Sequence, residues 1–304
     1  MYLPSRKAKT GRLHEKLTGV LNFSDYKKKR HVVTYILFIV VMVMFVILAL
    51  TPILWLLLSS FKTLEEINSS EYHLFPKSPD FNGFISLWNN LGLGDIFINT
   101  IVVVIFAVIC AVVFNSILAY VIAIVKPFGY KVIDKMVLLA YMIPSALAIY
   151  PLFMAINNVF PKGSYLPLFL VFGSNAYYYM LFKNYFEKFP KSLIEASKID
   201  GLNDFKVFLK VVLPLARPMI GVVAIFAMTA AYSDFLLPYL VIGQGSSSRN
   251  WTLMVAIYNT STDVTIGLNQ LLQLLTLSII PQIIIFIIFQ KQITNQGVNT
   301  GMKE

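Results

Sequence analysis

Asp234 lies inside an apolar run at residues 211–242, directly after Tyr232 and Ser233. A carboxylate within such a run is expensive, and by default it serves a solute path or its gate. The bland alternative is a structural carboxylate hydrogen-bonded to neighbouring segments or placed near an interface. Asn99, Asn175 and the triplet Tyr177, Tyr178 and Tyr179 form a second set. Amides and aromatic faces match the alternating hydroxyl and apolar surfaces of a sugar ring, although tyrosine is equally common at membrane interfaces.

Other chemistries lack their residues. The histidines, His14, His31 and His73, are scattered and have no metal-ligand spacing. No glycine-rich phosphate loop is present. The chain is expected to be no enzyme, to hold no metal and to bind no cofactor of its own.

The third set is the stretch KSLIEASKIDGLNDFKVFLKVVLP, residues 191–214. Leu193, Ile194, Ala196 and Ile199 share one helical stripe, with Lys191, Glu195, Lys198 and Asp200 on more polar positions. Gly201 permits a sharp reversal. Leu202, Phe205, Phe208 and Leu209 then share a second stripe, and Pro214 suits a helix start. The spacing predicts two short helices at a membrane surface. A helix that only binds lipid carries mainly Lys and Arg on its polar face, so Glu195 and Asp200 favour a protein partner.

The surrounding elements must be membrane helices. The 304 residues are 57% hydrophobic and 13% charged, with a mean hydropathy of +0.71; soluble domains carry about 25% charge. Six runs approach the roughly 20 apolar residues that cross a bilayer: residues 32–58, 96–125, 132–156, 166–182, 211–242 and 268–289. The fourth is the shortest and holds Gly173, Ser174 and Asn175, which favours shielding by neighbouring helices. Cys110 reads as a small packing residue.

The net charge of +10 does not mark a nucleic-acid binder, because nine of the 25 basic residues precede the first run as a topology signal. Connecting segments alternate in charge. The basic ones, residues 1–31, 126–135, 183–210 and 291–304, are expected in the cytoplasm with both termini. Outer segments are then 59–95 and 243–267; the GQGSSSRNW stretch of the second favours a mobile, polar surface loop.

The loop at 190–214 also carries a resemblance. Glu195, Ala196, Ser197, Gly201, Val211, Leu213 and Pro214 fall on the spacing of the EAA loop of ABC importer permeases, with Ser197 and Val211 replacing alanine and isoleucine. SSFKTLEEI, INT, MIPSALAIYPLF, YSDFLLP and the ending QGVNTGMKE are similar to segments of the carbohydrate-uptake branch, particularly the maltose permease G component.

The resemblance implies an all-α, six-helix type I importer permease, with a transmembrane domain at residues 32–290, in the inner cell membrane of a prokaryote. It implies pairing with a second, homologous permease as a heterodimer, two ATPase subunits that hold ATP and Mg, and an extracytoplasmic sugar-binding protein. Glu195 to Gly201, including Asp200, would enter a groove of an ATPase subunit. The C-terminal tail, with Gly297 and Gly301, would lie along the ATPase dimer. Two other classes compete: a stand-alone carrier or channel, which requires ion-coupling carboxylates and repeated halves, and a membrane scaffold or sensor without transport.

Overall fold

The computed structural model describes residues 29–71, 73–243 and 247–301, with side chains described within 32–290. The basic stretch at residues 1–28 and the last three residues lie outside them. Regular structure among the described residues is helical throughout. The contacts divide the chain into two units, residues 1–55 and 56–304.

The first unit holds most of α1 (Lys29–Ser59), 31 residues long and therefore about 46 Å from end to end. Its side chains from Val33 to Trp55 are apolar except at Thr34, Tyr35 and Thr51, and all but Tyr35 are exposed. A helix that is apolar all round, with no core stripe, is built to face lipid.

The second unit is organised around α4 (Leu93–Tyr120), which runs on through a π-helical turn at Val121–Val125. Ala107, Cys110, Ala111, Asn115, Ser116 and Ala119 are buried along one side of it. On α12 (Arg217–Ser233) the buried positions are Val223, Ala227 and Ala231, four apart, followed by Tyr232. Two seams of small side chains let the backbones approach closely, the usual basis of helix association in lipid.

The remaining elements pack around this pair or cap its ends. They are α2 (Leu64–Ile67), α3 (Phe81–Leu91), α5 (Tyr130–Met142), α6 (Ser145–Val159), α7 (Leu166–Leu170) and α8 (Ala176–Phe186). Further along come α9 (Lys191–Ile199), α10 (Asp204–Val207), α11 (Leu213–Leu215), α13 (Leu236–Pro238), α14 (Leu253–Thr262) and α15 (Leu268–Gly301).

Among the described residues, three helices are long and apolar enough to cross a membrane, and five spans result if each of two bent pairs is one span. The first bent pair, α5 with α6, turns by 108° at Ile143 and Pro144. Proline there supplies no amide to continue the ladder and disfavours helical geometry at Ile143. The second joins residues 204–215 to α12 at 79°.

The fourth expected run is interrupted. A short 3₁₀ turn at Val171–Ser174 separates α7 from α8, and Asn175 leaves helical geometry with φ −86° and ψ 112°. A Cβ on Gly173 would lie 2.7 Å from the Phe114 ring, so glycine is needed for the turn to lie against α4.

Residues 243–267 correct the expectation of a mobile loop. Residues 244–246 of GQGSSSRNW lie outside the described residues, but the chain from Ser247 onward is folded. A 3₁₀ turn at Ser248–Asn250 leads into α14, where Leu253, Val255, Ala256 and Thr260 are buried. The Gly and Ser content pointed to mobility, yet the LMVAI stretch behind it supplies enough apolar surface to anchor the segment. The segment at residues 59–95 is fastened as well: the Asp80 carboxylate caps α3, accepting from the Gly83 amide at 2.8 Å, and the Lys62 ammonium donates to the His73 carbonyl.

Candidate functional site

The stretch at residues 190–214 forms the expected pair of short helices around a glycine. Pro190 starts α9, and Asp200 ends it. Gly201 has φ +80°. Its amide donates to the Lys198 carbonyl at 3.0 Å, and the Leu202 amide donates to the Ser197 carbonyl at 3.2 Å. This pair of bonds is a Schellman closure, which requires a left-handed residue at its centre. Asn203 then caps α10, its side chain accepting from the Lys206 amide at 2.9 Å.

The loop is fastened to the core by its second half. Val207, Phe208 and Val212 are buried beside Tyr179, Phe182 and Phe186 of α8. The Tyr120 hydroxyl at the end of α4 donates to the Asp204 carbonyl at 2.9 Å, and its ring lies 5.1 Å from that of Phe208. Lys198 pairs with Asp204 at 2.9 Å, bracing the two helices across the glycine turn.

The exposed face differs from the expected stripes. Ser197 is the buried residue of α9, its hydroxyl donating to the Leu193 carbonyl at 2.7 Å. Ile199 is 86% exposed and Phe205 64%, and Leu209 is also open. The π turn at Phe208–Val212 shifts the helical phase, so one apolar stripe is divided between core and surface. Glu195, Ala196, Asp200 and Gly201 are exposed beside Ile199. The face is therefore a mixture of carboxylates and bare apolar side chains. Behind it lies a cavity of about 490 Å³, lined by Lys126, Phe186, Glu187, Lys191 and Glu195 among others.

Most of the polar groups singled out within the apolar runs are engaged in holding helices. The Asp234 carboxylate sits at the break after α12 and accepts from the amides of Leu236 and Leu237. The hydroxyl of buried Tyr232 donates to the Ser278 carbonyl of α15 at 2.6 Å. Ser233 is exposed, and with Tyr232, Thr229 and Gln282 it lines a cavity of about 370 Å³.

Asn99 donates to the carbonyls of Arg249 at 2.7 Å and Trp251 at 3.2 Å, tying the segment before α14 to α4. Asn175 caps α8, accepting from the amides of Tyr177 and Tyr178. Tyr178 and Tyr179 are buried, and Tyr177 stacks on Tyr141 with ring centroids 6.4 Å apart.

Sequence reasoning passed over one charged group. Asp134 of α5 accepts from the Tyr179 hydroxyl at 2.8 Å and from the Lys183 ammonium at 2.6 Å, both on α8. The two charged side chains keep only 20% and 17% exposure. Asp134 lies in a segment read as basic, so its one acid drew no notice. Among the described residues no group of His, Cys, Asp or Glu is arranged to hold a metal. Gly297 and Gly301 lie within α15, which continues unbroken past residue 290.

These features define a helical membrane protein: apolar spans with a polar helix pair between them, and no metal-holding cluster among the described residues. Residues 115–295 match the family described as binding-protein-dependent transport system inner membrane component, and the chain belongs to that family. It is thus a multi-pass inner-membrane permease component of an ABC importer and not an enzyme.

The chain is 30% identical over 256 residues to the diacetylchitobiose uptake system permease protein NgcG of Streptomyces coelicolor, covering 83% of each. It is 27% identical to the probable starch degradation products transport system permease protein AmyC of Thermoanaerobacterium thermosulfurigenes, over 91% of this chain and 100% of the relative. A solved chain of a bacterial ABC transporter involved in the import of the acidic polysaccharide alginate superposes with a TM-score of 0.73 at 21% identity, covering 90% of this chain and 99% of that one. That likeness establishes a shared fold.

Proposed function

We propose that this chain is one of two paired permeases in an ATP-driven importer that carries an oligosaccharide across the cytoplasmic membrane of a prokaryote. The observation that carries the reading is the loop at Glu195 to Pro214: a glycine-closed helix pair, fastened to the core on one side and presenting carboxylates and bare apolar side chains on the other. That surface suits a protein groove better than anionic lipid. The names of the relatives, which concern diacetylchitobiose and starch products, support a sugar cargo.

On this reading six spans form, the interrupted α7–α8 segment supplying the fourth, and both termini face the cytoplasm. Two ATPase subunits hold ATP and Mg. Glu195, Ala196, Ser197, Asp200 and Gly201 seat in one of them, with Leu213 and Pro214 fixing the return into the membrane. ATPase closure moves the loop, and the bundle opens outward to take sugar from an external binding protein. The end of α15, with Gly297 and Gly301, runs beside the ATPase pair. Ser233 and Tyr232 border the solute path, whereas Asn99, Asn175 and Asp234 keep its walls in place.

The test is purification from native membranes through a C-terminal tag, with mass spectrometry of the proteins that accompany the chain. A second permease and an ATPase should be recovered, and the ATPase should be lost in the Glu195→Ala, Gly201→Val double variant. Recovery of the chain alone, still moving solute without ATP, would mean a stand-alone carrier.

A further inference from the structure

No residue of α5 is buried. Tyr130, Asp134 and Val137 make up its inward stripe, and the half-exposed Tyr141 continues the row, at spacings of four, three and four, the repeat of one helical face. Tyr130 and Val137 touch the core, and Tyr141 stacks on Tyr177 of α8. Between them the strongest bonds come from one carboxylate: Asp134 takes the Tyr179 hydroxyl on one oxygen and the Lys183 ammonium on the other. Lys183 also lies 3.8 Å from Glu187, one turn further along α8.

Both ends of α5 are joints. Gly129 enters it at φ +82° with open space around it, and the 108° bend separates it from α6. A helix with a joint at each end and little buried surface goes where its lateral contacts take it. Those contacts lie on α8 and on the π turn at Val121–Val125, and the C-terminal end of α8 leads through Pro190 into α9 and the glycine-closed loop.

We propose that the Asp134–Lys183–Tyr179 cluster is the pin that makes α5 follow α8 when the loop moves, so that these three are positioning residues for transport. None touches the solute. The pin is polar because a largely buried charged pair holds one register when intact, and removing Lys183 leaves the Asp134 charge without its cation. Apolar contacts alone would let α5 slide. This inference rests on the importer reading for its consequence in transport, but the pin can be measured without it.

The experiment places spin labels on exposed positions of α5 and α9, Met136→Cys and Ser192→Cys, in a Cys110→Ala background, and records their distance distribution in the purified assembly with and without ADP-vanadate. The unaltered pin should give one narrow distance in each state. Asp134→Asn and Lys183→Met should each broaden it, and the charge exchange Asp134→Lys with Lys183→Asp should narrow it again.

In vesicles holding the assembly and supplied with its external binding protein, uptake of a mixture of tritiated diacetylchitobiose, arabinotriose and maltotriose per ATP hydrolysed should fall about 2- to 30-fold in the two single variants. The exchange should recover most of that loss. Equally narrow distances in Asp134→Asn and Lys183→Met overturn the pin. An unaltered assembly that hydrolyses ATP without taking up any of the three sugars overturns the cargo reading instead, and the label distances still decide the pin.

Discussion

The Tyr120 hydroxyl donates to the Asp204 carbonyl at 2.9 Å, joining the end of α4 to the start of α10 across 84 residues of sequence. Tyr120 is buried and the bond it makes is part-buried, so removing the hydroxyl takes a well-placed donor from the Asp204 carbonyl. Tyr120→Phe should lower the unfolding free energy by about 1 kcal/mol. Thermal unfolding in detergent, read by the loss of monodispersity, measures this. The ring stays in place against Phe208, so insertion and expression should not change; an unaltered unfolding temperature would show that the bond does not fasten the loop.

Gly201 offers a cleaner separation of causes, because its surroundings are empty and only its backbone is demanding. At φ +80° a residue with a Cβ is strained by about 1–2 kcal/mol, with asparagine the exception that tolerates left-handed geometry. Uptake should fall strongly in Gly201→Val, moderately in Gly201→Ala and least in Gly201→Asn. If Gly201→Asn transports no better than Gly201→Val, the partner surface and not the turn is what excludes a side chain.

Such a loop is legible in sequence because everything it needs is contiguous: the capping asparagine, the glycine and the return proline lie within 24 residues of chain. The pairing of Asp134 with Lys183 is not, since 49 residues separate them and each charge sits in a segment whose balance is basic. Charge counting reads sidedness, and it cannot tell a solvated lysine from one that reaches a buried acid. The interruptions at Ile143 and Asn175 are hidden for a related reason. Hydropathy averages over a window, whereas a bend is decided by one proline or by one glycine pressed against Phe114. The residues expected to line a path carry the same lesson: Asn99, Asn175 and Tyr232 each have a fixed partner on the backbone.

The bond from Tyr232 to the Ser278 carbonyl joins α12 to α15 in a buried setting. Tyr232→Phe keeps the ring and leaves that carbonyl short of one donor, a loss of about 1–3 kcal/mol. The unfolding temperature of the purified chain should drop, and the 370 Å³ cavity beside it should keep its shape. Solute flux at a temperature well below unfolding should change by no more than about twofold, since the hydroxyl is turned towards α15. A large fall in flux with unchanged stability would mean that the hydroxyl meets the solute.

Asp234 can be resolved by comparing two substitutions. Its carboxylate accepts from the amides of Leu236 and Leu237, the first donors of the chain as it resumes a helix after the break. A side chain that caps such donors contributes about 0.5–2 kcal/mol, and asparagine caps as well as aspartate does. If capping is the whole of its role, Asp234→Asn should retain stability and uptake within about twofold, while Asp234→Ala should lose about 1 kcal/mol and shift the segment that carries Leu237 and Pro238. If the charge itself is used, for a gate or for a passing cation, Asp234→Asn should fail in transport while remaining as stable as the unaltered chain. Uptake and unfolding measured on the same preparations separate the two, because only the second role requires a negative charge.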